Sequence, residues 1–280
     1  MPPTRTPSAC VLWTALSFAA CAAARPPPSP GATSAPLPSP TAIVARYDEA
    51  LGGVAALRRH TSITVRGELE VRRPKGVVVV AFIRYGKAPF LRLERYTLPG
   101  GGGEDLRGFD GEHAWHLSPQ GAPELLEGDE VLSAKRDADF YYPVTLLSWF
   151  RSMETVGIEE LDGRACYHLR GINLWGRQND HFYDRETGLL AAYEFDSTWR
   201  GGPGLEREIF TGYRRIGDVL VSTEQSFEAR SKAQTGTWEP EQRLTSRTIT
   251  FDDVEPASLE PPAAVRDLIA RREQAGASRR

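Results

Sequence analysis

The chain has 280 residues, with 34 Lys and Arg against 37 Asp and Glu, and only three Cys. That is too long for a disulfide-stapled miniprotein and too evenly charged for a disordered acidic or basic tail. A formal net charge of −3 removes the main electrostatic argument for nucleic-acid binding. Five His and three scattered Cys leave little material for a structural zinc site, so neither a metal nor another cofactor is expected. Hydrophobic residues at 40% suffice for a sizeable core, which points to one soluble globular domain with appendages.

Residues 1–20 contain one base, Arg5, and no acid, followed by a short apolar run from Val11 to Ala20. Ten residues are half of what a membrane-spanning helix needs, but they fit the apolar region of a secretory signal. The run ends in Phe18-Ala19-Ala20-Cys21. This resembles the bacterial lipobox, which implies acylation of Cys21, although Phe18 stands where the pattern prefers Leu. A plain signal cleaved at Ala22-Ala23-Ala24 is the alternative. Residues 21–40 are expected to be a tether, since 25–40 carry seven of the 21 prolines. Such a segment runs as polyproline II at about 3.1 Å per residue, so it could reach on the order of 60 Å. With Cys10 removed and Cys21 acylated, Cys166 stands alone, and Ala165, Tyr167 and Leu169 around it predict a buried structural thiol.

The folded domain is expected over 41–275, with 276–280 as a disordered basic tail. Ile43, Val44, Tyr47, Leu51, Val54 and Leu57 recur at helical steps after Thr41, a candidate N-cap, and Gly52-Gly53 interrupts them. From Ile63 the period changes to two, as in a half-buried strand. The run 77–85 is apolar almost without a break, which predicts a strand covered on both faces. Further strands are expected at 90–96, 104–109, 113–117, 165–171, 181–184, 189–196, 207–214, 219–229 and 243–254. A charged helix over 127–139, an apolar segment over 141–150 with Pro143 in a first-turn position, and a last helix over 259–272 complete the series. Ten or eleven strands with few helices between them define a mainly β (α+β) chain, a large antiparallel meander rather than a βαβ fold.

Several phrases in fixed order carry a family likeness. They are Tyr47-Asp48-Glu49-Ala50-Leu51-Gly52-Gly53 leading into the strand at 62–71; Phe109-Asp110-Gly111-Glu112-His113-Ala114-Trp115; Leu161-Asp162-Gly163-Arg164-Ala165-Cys166-Tyr167; Phe182-Tyr183-Asp184-Arg185-Glu186-Thr187-Gly188-Leu189; and 213–221. Together they resemble the LolA/LolB-like superfamily of bacterial lipoprotein carriers and receptors over about residues 42–270. The resemblance implies a curved, incomplete antiparallel barrel with helices packed on its open, concave side, and an apolar concave face that takes acyl chains. It implies a periplasmic place in the cell envelope, and since no nucleophile–base pair is legible in the residues, no catalysis is expected. With a lipid anchor at Cys21, that becomes an outer-membrane-anchored monomer which binds lipid or lipoprotein acyl chains. A sensor or scaffold of the RseB-like kind, binding an envelope protein, is the other reading.

The segment 141–150, with Leu147 and Phe150, has the composition of a lid over such a cavity, or of an ordinary core helix. Leu69, Val79, Leu93, Trp115, Tyr193 and Phe195 are the expected lining, unless they fill a closed interior. No catalytic constellation is legible. His113 and His116 flank Trp115 at a spacing that puts them on opposite faces of a strand, so they cannot share a metal. Asp137/Asp139 and Glu159/Glu160 read as solvated charge, and Gly100–Gly103 reads as a hairpin loop without the Lys-Ser/Thr of a phosphate loop.

Overall fold

The computed structural model describes residues 36–200, 202–233 and 237–277. The signal segment, Cys21, the tether as far as residue 35, and Arg279 and Arg280 lie outside the described residues.

The chain enters through α1 (Pro40–Leu51) and α2 (Val54–Arg59). The N-cap of α1 is Ser39, not Thr41: its Oγ accepts from the Ala42 N–H at 3.2 Å, with Pro40 in the first helical position, where its missing N–H costs nothing. Gly52-Gly53, both at positive φ, separate the two helices. A first meander follows: β1 (Ser62–Arg73), β2 (Gly76–Lys87), β3 (Leu91–Thr97), β4 (Glu104–Phe109), β5 (Ala114–Leu117) and β6 (Glu124–Leu125). A connector then holds α3 (Asp129–Asp137), the four-residue α4 (Tyr142–Thr145) and a 3-10 turn at Leu146–Trp149. The second meander is β7 (Phe150–Leu161), β8 (Arg164–Asn173), β9 (Gln178–Asp184), β10 (Leu190–Trp199) and β11 (Gly202–Thr211). The hairpin β12 (Arg214–Ile216) and β13 (Val219–Val221) leaves the sheet before β14 (Glu224–Ser231) and β15 (Glu239–Phe251) return to it. The last helix, α5, covers Ala263–Ala277 and so runs two residues into the segment expected as a tail.

Thirteen of these strands form one antiparallel sheet in the order β6-β5-β4-β3-β2-β1-β15-β14-β11-β10-β9-β8-β7. Strands β6 and β7 are its edges, so it does not close into a barrel. The sequence suggested ten or eleven strands. The additional ones are the edges β6 and β7, together with the division of the segments 207–214 and 219–229. Gly212 at positive φ turns the chain out of β11, and the returning chain is tied at the neck. There Ser222 Oγ donates to the Thr211 carbonyl at 2.9 Å, and Thr223 Oγ1 to that of Gly212 at 2.6 Å.

The sheet is strongly coiled. Arg107 of β4 and His181 of β9 line one trough although eight strand steps separate them in the sheet order. In a flat sheet that is about 38 Å. One site of bending is Gly67 of β1, beside the bulge at Arg66/Gly67, where an added Cβ would meet the Thr245 carbonyl oxygen at 2.0 Å.

The register separates two faces. The inner set includes Val65, Arg84, Glu94 and Arg107 in one run of cross-strand partners, Leu69 with Leu244, and Phe227, Glu208, Tyr193, His181 and Leu169 in another run. Helix α1 packs Ile43, Val44, Tyr47 and Leu51 onto the inner face of the second meander, against Leu169, Tyr183 and Leu190, together with Leu146, Trp149 and Phe150. Helix α3 lies on inner-face Phe109 and Ala114, and the β12–β13 hairpin puts Ile216 and Val221 over Val65, Phe82 and Ile249. Helix α5 is on the other side: Val265 and Ile269 pack on Leu93, Leu106 and Trp115 of the outer face.

Cys166 is fully buried in a small outer-face cluster with Phe182, Ala192 and Ile209, and burial pushes its thiol pKa up. Asp139 is no solvated charge. Its carboxylate accepts from Trp149 Nε1 at 2.9 Å, from Thr145 Oγ1 at 2.5 Å and from the Tyr141 N–H at 3.0 Å, which pins the connector. His116 sits at the β5–β6 edge between Asp105 and Glu124, 3.0 Å from each.

Candidate functional site: a polar and aromatic trough

Where α1 and the hairpin leave the inner face uncovered, a trough of about 730 Å³ runs across β1–β4, β9–β11, β14 and β15. A second cavity of about 290 Å³ adjoins it, sharing Ile63, Arg84, Arg92, Pro143 and Phe210. Its own walls are mainly apolar, with Leu57, Phe140, Val219, Leu220 and Phe251. Volumes of this size suit a small amphipathic ligand.

Of the expected lining residues, Leu69, Tyr193 and Phe195 are in the trough, the last two with ring centroids 5.2 Å apart. Leu93 and Trp115 are not. Trp115 is paired with Gly108 and Gly108 with Leu93, so all three share the outer face. The Trp115 ring lies so close over Gly108 that a Cβ there would come within 2.3 Å of it. Val79 is paired with Glu70 on the same outer face and is half exposed. The expectation that both faces of the 77–85 strand are covered therefore holds only beyond Ala81, which is exposed like Val77 and Val78. Phe150 and Leu147 belong to the core beneath α1 rather than to the trough walls. The 141–150 segment is not one helix: Pro143 lies in the first turn of the four-residue α4, and the chain must be extended by Phe150 to begin β7.

The trough differs from the expected apolar cavity in carrying charge. Six carboxylates (Glu94, Asp137, Glu206, Glu208, Glu228, Glu241) and four guanidinium groups (Arg84, Arg92, Arg107, Arg136) are among its lining residues. Glu94 is the hub of the first meander. Its Oε1 accepts from Arg84 Nε and from Arg92 Nη2, each at 2.6 Å, and its Oε2 from the Tyr96 hydroxyl at 3.2 Å. Burial opposes its ionisation, but the two flanking cations outweigh that and hold its pKa far below the usual carboxylate range. Arg92 also donates to the Asp137 carbonyl, which ties the end of α3 to the sheet. Across the trough, Arg136 Nη1 donates to the Tyr193 hydroxyl at 2.8 Å, and Nη2 to Asp137 at 2.7 Å.

Two groups in the trough are poised differently. Burial raises the Glu208 carboxyl to about 7, so near neutrality about half of it keeps its proton. His181 is 1% exposed, and neither ring nitrogen has a hydrogen-bond partner. Burial, assisted by the Arg136 charge, lowers its pKa to about 3, so the ring is neutral. It is enclosed by Phe150, Tyr183 and Tyr193 at centroid distances of 5.4, 6.3 and 4.8 Å. An unpaired buried polar group of this kind costs about 1–3 kcal/mol.

Sequence reasoning missed these charged residues. Arg84 offered the one available signal, since a charge inside the apolar run 77–85 requires a cross-strand partner, and β3 supplies Glu94 directly opposite. Among the described residues no cluster of three or more His, Cys, Asp or Glu could hold a metal. No helix among them is long and apolar enough to cross a membrane.

An open, coiled antiparallel sheet of this kind superposes on solved structures. A LolA superfamily protein from Nitrosomonas europaea superposes with a TM-score of 0.56 at 14% identity, covering 80% of this chain and 99% of that one. A DUF1329 family protein from Desulfovibrio piger gives 0.53 at 13% identity, covering 79% and 98%. A domain named for outer-membrane lipoprotein sorting, from Vibrio parahaemolyticus, gives 0.50 at 12% identity, covering 71% and 89%. No sequence-family model and no curated protein matches the chain. The chain has a LolA-like fold.

Proposed function

We propose that this protein is a non-catalytic lipoprotein of the bacterial envelope that binds lipid, or the acyl chains of lipoproteins, in the inner-face trough. The observation that carries the reading is the trough itself: about 730 Å³ on a coiled sheet, with Leu69, Phe195, Phe227 and Leu244 available to apolar chains. The adjoining apolar cavity lengthens the path. Acylated Cys21 and the proline-rich tether hold the monomeric domain on the periplasmic side of the outer membrane, which suits an acceptor better than a diffusing carrier.

Native mass spectrometry of the protein purified from membranes in mild detergent tests this. Stoichiometric co-purifying lipid is expected. Phe195→Glu abolishes lipid uptake and leaves the fold intact; unchanged uptake would refute this placement of the site. Cys21→Ser releases the protein into the soluble periplasmic fraction, and persistent membrane association would show another anchor.

One observation favours a second reading, a scaffold that binds an envelope protein. Edge strand β7 is 12 residues long, and its Val156 and Ile158 are exposed, as strand addition by a partner requires. An empty domain that carries one envelope protein in the same experiment would select it.

A further inference from the structure

We infer that the His181 end of the trough is a seat for a neutral, hydroxyl-bearing headgroup, such as glycerol or a sugar, and not for an anionic or cationic one. The inference rests on the acyl-chain reading above and deepens it.

Three features decide the headgroup's chemistry. His181 faces the trough from a fully buried position with both ring nitrogens unpartnered. A neutral imidazole offers one donor and one acceptor on opposite sides of a rigid ring. Neighbouring hydroxyls, each able to donate and accept, satisfy both; a carboxylate or phosphate satisfies only the donor, and an ammonium only the acceptor. Next, the nearby cation is already engaged. Arg136 is bound to Asp137 and to the Tyr193 hydroxyl, so this end of the trough is locally neutral. Tyr193, having accepted from Arg136, keeps its own O–H proton to donate. Finally, six carboxylates against four guanidinium groups line the trough as a whole, which disfavours an anion. Glu208, protonated in part near neutrality, adds a group that can donate or accept. The headgroup would sit on these polar side chains while its acyl chain runs along Phe195 and Phe227.

The test uses the full chain and five oleoyl probes below their micelle concentrations: monooleoylglycerol, oleyl glucoside, methyl oleate, oleate and oleylammonium. Binding is read by tryptophan fluorescence. The hydroxyl probes are expected to bind about tenfold more tightly than methyl oleate, the gain of one or two buried hydrogen bonds. Whichever of the two binds more tightly identifies glycerol or sugar as the source. His181→Phe brings the ratio to about one without lowering the melting temperature, since it replaces an unpaired polar ring by an apolar one. His181→Gln, which keeps a donor and an acceptor, retains the preference.

Equal binding of methyl oleate and the hydroxyl probes by the wild type would overturn the inference. So would tighter binding of oleate or oleylammonium, or a hydroxyl preference that survives in His181→Phe. Failure of every oleoyl probe to bind would instead bring down the acyl-chain reading, and this inference with it.

Discussion

The inner face of this sheet is built the same way from end to end but finished differently in its two parts. Where α1 and the 3-10 turn lie on β8–β10 it is sealed. Helix α1 and the 3-10 turn cover Leu169, Tyr183 and Leu190 so closely that Leu146 and Leu169 are wholly excluded from solvent. Over β2, β3, β11 and β14 no helix lies on the floor, and the same inward positions carry Arg84, Glu94, Glu208 and Phe227. Period-two alternation alone therefore does not decide whether an inward residue is core or cavity. The element that lands on it does.

The sharpest way to break this comparison is Trp149→Ala. Trp149 sits in the sealed part, edge-on to Phe90 and hydrogen-bonded to Asp139. Its truncation is expected to cost about 3–5 kcal/mol in urea unfolding. A loss below about 1 kcal/mol would mean that the sealed part is not a packed core. Phe195→Glu, in the open part, is expected to change stability by less than about 1 kcal/mol, because the trough leaves the new carboxylate in reach of water. A loss comparable to that of Trp149→Ala would make the trough a core.

The smallest effect sharpens the contrast through pH. Each part holds one acid that burial protonates: Asp48 of α1, raised to about 6, and Glu208 of β11, raised to about 7. A raised folded-state pKa contributes stability that is present in full below the unfolded value and lost as pH rises through the folded one. Glu208→Gln, which mimics the protonated acid, is therefore expected to match the wild type at pH 4 and exceed it by on the order of 1 kcal/mol at pH 8. Asp48→Asn makes the same gain with a midpoint about one pH unit lower. Equal midpoints in paired urea titrations would show that the two environments do not differ.

The sequence made much of this architecture legible, and the misses have physical causes. The strand over 104–109 appears as β4 with the same bounds, because Gly and Asp punctuate it on both sides. Strand β7 escaped notice because it is an edge. Register shifts at Phe150/Ser152 and Thr155/Gly157 interrupt the alternation that marks a strand, and its Val156 and Ile158 are exposed like polar residues. The expected lining was right in period but ambiguous in face. Leu69 and Leu93 are equally apolar on neighbouring segments, and only the register, with α5 packed outside, puts one in the trough and the other beneath a helix. His181 gave no signal at all. A histidine with both nitrogens unpaired becomes visible only when β8, β10 and their aromatic side chains surround it.

The strand order also bears on how the sheet assembles. Each meander is made of neighbours in sequence, yet β1 and β15, which join the two at the middle of the sheet, are brought together across almost the whole domain. The hydrogen bond from Thr64 to Asp253 beside this seam spans 189 residues. Loop closure of that length disfavours early pairing, so the expected order is that the two meanders form as local units and the central seam closes last. The trough, lined by residues of both meanders, is complete only when the β1–β15 seam closes.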